Sequence, residues 1–423
     1  MRATKIRFLA VALALAPALI SLAPALIFPA QARPYDDIMG EARDAFAAED
    51  FKTAADRLDE AQITRPYSLY LTRNRILTRI LTDRMDEAIA IAAQIAERGL
   101  VLNLPAHEAF DAMKADPAYA PVAEKMAENA APVGAPEIVL EHDRADLLPE
   151  ALAMNDGAFY VGSVRSGEIL EFSDGAVRTL GVLEGGVFDI EIDGDVLVGV
   201  SNNQLAYERT GERAPGANLF RIDRSTGATL SQTAIGENTV LIGDLEIGAD
   251  GRVFVSNSLT PHIYSLDKDG ALHTLGVDPR FVNLQGIALD RKKQRLFVAD
   301  YLAGLFIIDL KTGDVAAIDN PSDAHLGGID GLYLYKGDLI GIQNGATPQR
   351  IVKIDLSRKG KTAKSVRVLQ RALPEWTEPT HGVVAGDEFF YIATSNWPAY
   401  DVDGAPVTDA EMAPLRIMRV KLD

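Results

Sequence analysis

A pattern that returns six times after residue 150 constrains this chain more than any single motif. A polar or charged residue leads into alternating apolar residues, then a Gly/Asp turn, then a β-rich run such as Phe254-Val255-Ser256 or Phe297-Val298-Ala299-Asp300. The leading residues are Glu150, Asp189, Asp244, Gln285, Asp330 and His381, separated by 39, 55, 41, 45 and 51 residues. Period-two alternation marks strands with one buried face, and a repeat of roughly 40–50 residues is the length of a four-stranded propeller blade. The chain is therefore expected to be mainly β, a six-bladed β-propeller, with the six leading side chains converging on its axis.

The clearest blade runs from Leu284 to Ile318. Its innermost strand is Gln285–Leu289, followed by Leu296–Asp300, Gly304–Asp309 and, after the Lys311-Thr312-Gly313-Asp314 turn, Val315–Ile318. The segments Glu150–Leu180 and Asp244–Leu275 fit the same layout, with hairpin turns at Asp156-Gly157, Asp174-Gly175, Asp250-Gly251 and Asp269-Gly270. The other three blades carry longer loops, at Ser201–Asn218, Ser357–Ala363 and Trp397–Pro414. The last blade runs out of chain after three strands, while Glu137–Glu141 reads as a strand with no hairpin partner. Closing a propeller removes two exposed edges when one terminus completes the other's sheet. Residues 137–141 are thus expected as the outer strand of the sixth blade, and residues 137–423 as the propeller.

Residues 36–130 have a different period. Apolar residues recur every three to four positions, alanines are frequent, and Asp50–Ala54 aligns with Arg84–Ala88 at an offset of 34 residues, the tetratricopeptide period. An α-helical, tetratricopeptide-like domain is expected there, joined by the linker 131–136. It would serve as a docking surface for a protein partner or as a cap on its neighbour. Upstream, Arg2, Lys5 and Arg7 precede an apolar stretch and Ala30-Gln31-Ala32, the pattern of a cleaved export signal over residues 1–32. Cleavage would take the formal net charge from -18 to -21 by removing those three cations. A periplasmic or secreted protein without a membrane span after cleavage is expected. Such acidity disfavours nucleic acid, and the absence of cysteine excludes thiol catalysis and Cys-based metal sites.

Four of the six ring positions carry carboxylates, and the others an amide and an imidazole. Carboxylates crowded about one axis repel unless a cation or protons offset them, and hard oxygen ligands suit Ca²⁺ first, then Mg²⁺ or Mn²⁺. Solvated channel lining is the alternative. Arg165, Asn202, Asn257, Tyr301, Asn344 and Asn396 follow the second strands of successive blades, and with Asp189 they are candidates for contacting a small polar ligand. No Gly-x-Ser-x-Gly elbow, phosphate loop or His-Glu-x-x-His occurs.

Pro149-Glu150, Gln285-Gly286-Ile287-Ala288, Asp330-Gly331-Leu332 and Leu296–Asp300 resemble the regucalcin/gluconolactonase family of six-bladed propellers, over about two-thirds of the chain. The resemblance implies one divalent cation held by a Glu of the first blade, an Asn of a middle blade and an Asp of the next, with sugar lactones hydrolysed beside it. By position these become Glu150, Gln285 and Asp330, with Asp244 as a further ligand. Asp330 would be the general base, and His381 a substrate contact or proton donor to the leaving oxygen. Gln285 departs from the family's Asn by one methylene, and Ile329 stands where the family has Pro. Two readings therefore stay open: an exported metal-dependent hydrolase of a lactone or related ester, and a non-catalytic propeller that binds a ligand or protein.

Overall fold

The structure, a computed structural model, describes residues 33–204, 206–208, 216–236, 240–401 and 403–423. The expected export signal, residues 1–32, lies outside them. Six helices come first: α1 (Tyr35–Ala47), α2 (Phe51–Thr64), α3 (Leu69–Leu81), α4 (Met85–Glu97), α5 (Glu108–Ala115) and α6 (Ala120–Ala130). The α3 helix begins 34 residues after α1, and α4 begins 34 after α2. Asp50 caps α2 by accepting from the Thr53 amide at 3.1 Å, and Ser68 caps α3 through the Leu71 amide at 3.3 Å. Ala54, Ala55, Ala61, Ala88 and Ala92 are fully buried, which lets the helix pairs approach closely. No helix among the described residues is long and apolar enough to cross a membrane.

Six four-stranded sheets follow, each a meander from the axis outward: a six-bladed β-propeller. The innermost strands of the first four blades are Pro149–Asn155, Gly186–Asp193, Ile242–Ile247 and Leu284–Asp290, and those of the last two are Leu332–Tyr335 and Gly382–Ala385. The sixth sheet has Ile138–His142 on its outside, antiparallel to Leu415–Lys421, so the two ends of the propeller share one blade. Apolar side chains fill the wedges between blades. Ala151, Val187 and Phe220 meet in one wedge, and Phe254, Ile287 and Phe306 in another. Full burial of each large side chain contributes roughly 1.5–3 kcal/mol.

The helical domain packs on the propeller at the fourth and fifth blades. Tyr67 donates its amide to Leu302 O at 3.1 Å, accepts from Asn320 Nδ2 at 3.1 Å, and meets the His325 ring edge-on at 5.1 Å. A Cβ on Gly327 would lie 2.2 Å from Tyr67 Cβ, so only glycine allows this approach. Val101 donates to Thr347 O at 2.6 Å, and buried Arg350 reaches Arg98 O at 3.2 Å and Gln343 at 2.7 Å. The linker is pinned as well, by paired backbone bonds between Val133 and Arg371.

Candidate functional site

Antiparallel pairing places Asn202 opposite Gly186, Asn257 opposite Ile242 and Asp300 opposite Leu284. The starts of the inner strands and the loops after the second strands therefore share one end of the channel, here called the upper mouth. The helical domain stands at this end, because Leu302 and Ala346 adjoin Tyr301 and Asn344 in the chain.

The inner strands are not regular where the ring residues sit. Register shifts occur between Pro149 and Ala151, Val187 and Asp189, Ile242 and Leu245, and Leu284 and Ile287. In each of the first four blades a β-bulge thus falls at the ring residue or next to it, re-aiming its side chain. In the fifth and sixth blades Asp330 and His381 lie just before the inner strand begins. Gly286 allows two blades to touch: its amide donates to Asp330 O at 2.7 Å, and a Cβ there would come within 2.4 Å of that oxygen.

Two groups of polar side chains form around the axis. The first belongs to the fifth, sixth and first blades. Glu150 is buried and accepts from Trp397 Nε1 at 3.0 Å. Its carboxyl is pushed well above the usual carboxylate range by burial and by the negative charges of Asp330 and Glu378, against the opposing Trp397 donor. Asp330 accepts from Asn344 Nδ2 at 2.6 Å, and Asn344 Oδ1 accepts from the Tyr301 hydroxyl at 3.0 Å. Burial raises the Asp330 carboxyl, while His381 and Asn344 oppose the rise. Glu378, which the repeat does not reveal, joins this group and is pushed up to about 7 by burial and by Asp330.

The second group belongs to the second and third blades. Asp189 accepts from the Ile190 and Leu245 amides, both at 2.8 Å, and Asp244 from the Leu245 amide at 2.9 Å and the Ile287 amide at 2.6 Å. Each carboxylate thus ties its own strand to the next blade. Two residues further on, and so on the same strand face, Glu191 accepts from the Ile247 amide at 3.1 Å and Glu246 from the Leu289 amide at 3.0 Å. Burial and the neighbouring acids push Asp244 and Glu191 well above the carboxylate range, and burial raises Glu246 to about 7. These acids line a cavity of about 870 Å³ that reaches the hairpin turns at the opposite end, where Arg291, Lys292, Lys293 and Lys336 stand. This cavity therefore reaches the lower end of the channel, away from the loops expected to bind a ligand.

His381 stands between the groups. Its ring comes near Asp189 and Asp244: one ligand atom from each of the three lies within 4.8 Å of the others. Gln285, expected beside Glu150 and Asp330, donates Nε2 to Asn283 Oδ1 at 2.7 Å, with Oε1 over Gly243 of the third blade. Asp244, expected in the same ligand set, groups instead with Asp189 and His381.

The loop residues divide similarly. Tyr301 and Asn344 reach Asp330, as described. Asn202 makes a two-point bond to Ile242, donating at 2.8 Å and accepting at 2.9 Å. Asn257 accepts from the Leu241 amide at 3.1 Å, and Asn396 holds Ala145 O and Ala413. Arg165 reaches Ala206 O at 3.1 Å and Gly404 O at 3.0 Å. These four side chains are engaged in holding loops together. Glu191 and Glu246 were legible as period-two echoes of Asp189 and Asp244, whereas Glu378 and Trp397 sit in loops without any periodic signal.

No family model matches the chain, and no curated protein matches its sequence. Its structural neighbours include regucalcin- and gluconolactonase-like propellers. A calcium-binding regucalcin from Agrobacterium tumefaciens aligns at 15% identity over 68% of this chain and 95% of its own, with a TM-score of 0.48. A gluconolactonase from Xanthomonas campestris aligns at 15% identity over 68% and 95%, with a TM-score of 0.45. Virginiamycin B lyase from Staphylococcus aureus aligns at 14% identity over 67% and 98%, with a TM-score of 0.47. The reaction is argued from the site, because a fold does not fix its chemistry.

Proposed function

We propose that the protein is an exported, divalent-cation-dependent hydrolase of a lactone or related ester, acting at the upper mouth. The observation that carries this reading is the pairing of buried Glu150 with Asp330. Each comes from a different blade, each has a raised proton affinity, and the charges acting on Glu150 are the negative ones of Asp330 and Glu378. A hard divalent cation, Ca²⁺ foremost, fits such a carboxylate donor set. Bound there, it would polarise a lactone carbonyl and acidify water.

The chain's own groups supply the rest. Asp330 takes a proton from water as general base, with Asn344 and Tyr301 orienting its carboxylate. Glu378, poised near neutrality, delivers a proton to the leaving oxygen at the same mouth. Trp397 keeps Glu150 facing the site. The helical domain acts as the wall that fixes the Tyr301 and Asn344 loops, and its outer face remains available to a protein partner.

The test is metal analysis of the purified protein together with a lactone panel on wild type, Glu150→Gln and Asp330→Ala. Hydrolysis that requires divalent cation and disappears in both variants is expected. Hydrolysis that survives both substitutions would sink the reading. A propeller that binds its ligand without chemistry is favoured by the engagement of Gln285 with Asn283. It would show as ligand binding with no turnover in the same panel.

A further inference from the structure

His381 is the unusual member of the ring. It is 4% exposed, and neither ring nitrogen has a hydrogen-bond partner. A buried imidazole left entirely unpaired costs roughly 1–3 kcal/mol, so its surroundings should supply a partner. They do so at an unexpected distance. Its ligand atom and one carboxylate oxygen each of Asp189 and Asp244 fall within 4.8 Å of one another, yet neither carboxylate hydrogen-bonds to the ring. Three ligands bonded to one ion at about 2.0–2.2 Å stand about 3.3–3.8 Å apart, so a cluster of this size closes on an ion after side-chain movements of about 1 Å.

We propose that Asp189, Asp244 and His381 form a second cation site, distinct from Glu150 and Asp330 and selective for a borderline transition metal such as Zn²⁺. Three features support it. The donor set contains an imidazole, which suits Zn²⁺ better than Ca²⁺. The amides of Ile190, Leu245 and Ile287 fix the orientation of both carboxylates and leave each oxygen a further lone pair. Asp189 and Asp244 also line the cavity of about 870 Å³, which gives an ion a route from the lower end of the channel. Three protein ligands leave a coordination position open towards water or a ligand in that cavity. Because the ligands come from the second, third and sixth blades, an ion there would also join blades that are not neighbours.

The full-length mature protein, stripped with chelator and titrated with Co²⁺ as a spectroscopic stand-in, tests the proposal. One equivalent should bind with an intense visible d–d band, apart from any weakly absorbing equivalent taken up at Glu150 and Asp330, and raise the melting temperature. His381→Ala should weaken Co²⁺ binding at least about 100-fold and abolish the band, while circular dichroism stays that of wild type. Glu150→Gln should keep both the band and the affinity, which separates this site from the hydrolytic one. His381→Ala is the informative variant because the two aspartates also hold blades together. Asp244→Asn provides a second check, since its amide oxygen can still accept a backbone bond while the charge is lost. An unchanged Co²⁺ isotherm in folded His381→Ala, or no binding by wild type at micromolar Co²⁺, would overturn the proposal.

Discussion

The two sides of the channel use the same ring position differently. On the side of the second and third blades, Asp189 and Asp244 accept backbone amides from the strand ahead of them, and Glu191 and Glu246 repeat the arrangement one step lower. On the side of the fifth, sixth and first blades, Glu150 and Asp330 accept only from side chains, Trp397 and Asn344. A carboxylate bonded to backbone amides braces the scaffold and can meet a cation only where it already stands, through its remaining lone pairs. One held only by side chains has no such backbone tether and can turn towards a substrate. Position in a repeat therefore locates a side chain without deciding its work; the partner waiting at the next blade decides it.

The sharpest way to break this comparison is to exchange effects between the sides. Glu150→Gln is expected to reduce kcat/KM for a responsive lactone by about 100-fold or more, while leaving the fold no less stable in urea titration, because the amide oxygen still accepts from Trp397 and the buried charge is removed. Asp244→Ala should do the reverse to the fold, destabilising by roughly 1–3 kcal/mol because the Ile287 amide loses its acceptor, while Leu245 keeps Asp189. Equal stability losses in the two variants would remove the distinction.

A smaller effect concerns pH. The folded Glu378 carboxyl sits near 7, above an unfolded value of about 4.3. The folded state therefore holds more protons in that window, and its stability falls as pH rises from about 4.3 to 7. For a group still partly open to water this slope amounts to about 1 kcal/mol. Thermal melts of metal-free protein should show it as part of a larger slope shared with Glu246, Glu378→Gln should reduce that slope by about this amount, and Ca²⁺ should offset it most at the alkaline end.

The smallest and most local expectation lies at the helical domain. Burial, followed by the charges of Arg350 and Arg98, holds His325 well below the usual histidine range. Unfolding or undocking then takes up a proton below about 6.5, so contacts around Tyr67 should weaken as pH falls through that value. Hydrogen exchange in α3 and α4 at pH 7.5 and 5.5 checks this. Protection that is unchanged, or that is lost equally in His325→Phe, would count against it.

Much of the architecture was legible in the chain because it rests on local periodicity. Alternation and hairpin turns mark strands, six repeats imply six blades, and an unpaired strand before the first blade faces a blade short of one strand. The ring positions were legible for the same reason. Their grouping was not, since it depends on which blade each bulge turns a side chain towards. Gln285 shows this plainly: its place in the repeat puts it with Glu150 and Asp330, while its amide bonds to Asn283. Glu378 and Trp397 came to the site through loops, where spacing carries no information.

By itself, then, the sequence determined a β-propeller of six blades, an alanine-rich helical domain before it, and a ring of acids with one histidine at the inner-strand starts. Only the tertiary structure decided that Asp189 and Asp244 brace neighbouring blades, that Glu150, Asp330 and Glu378 share a mouth, and that His381 is left without a hydrogen bond between them. Periodicity is a property of neighbours along the chain, whereas desolvation and hydrogen-bond partnership belong to neighbours in space, which here come from strands 40 to 250 residues apart.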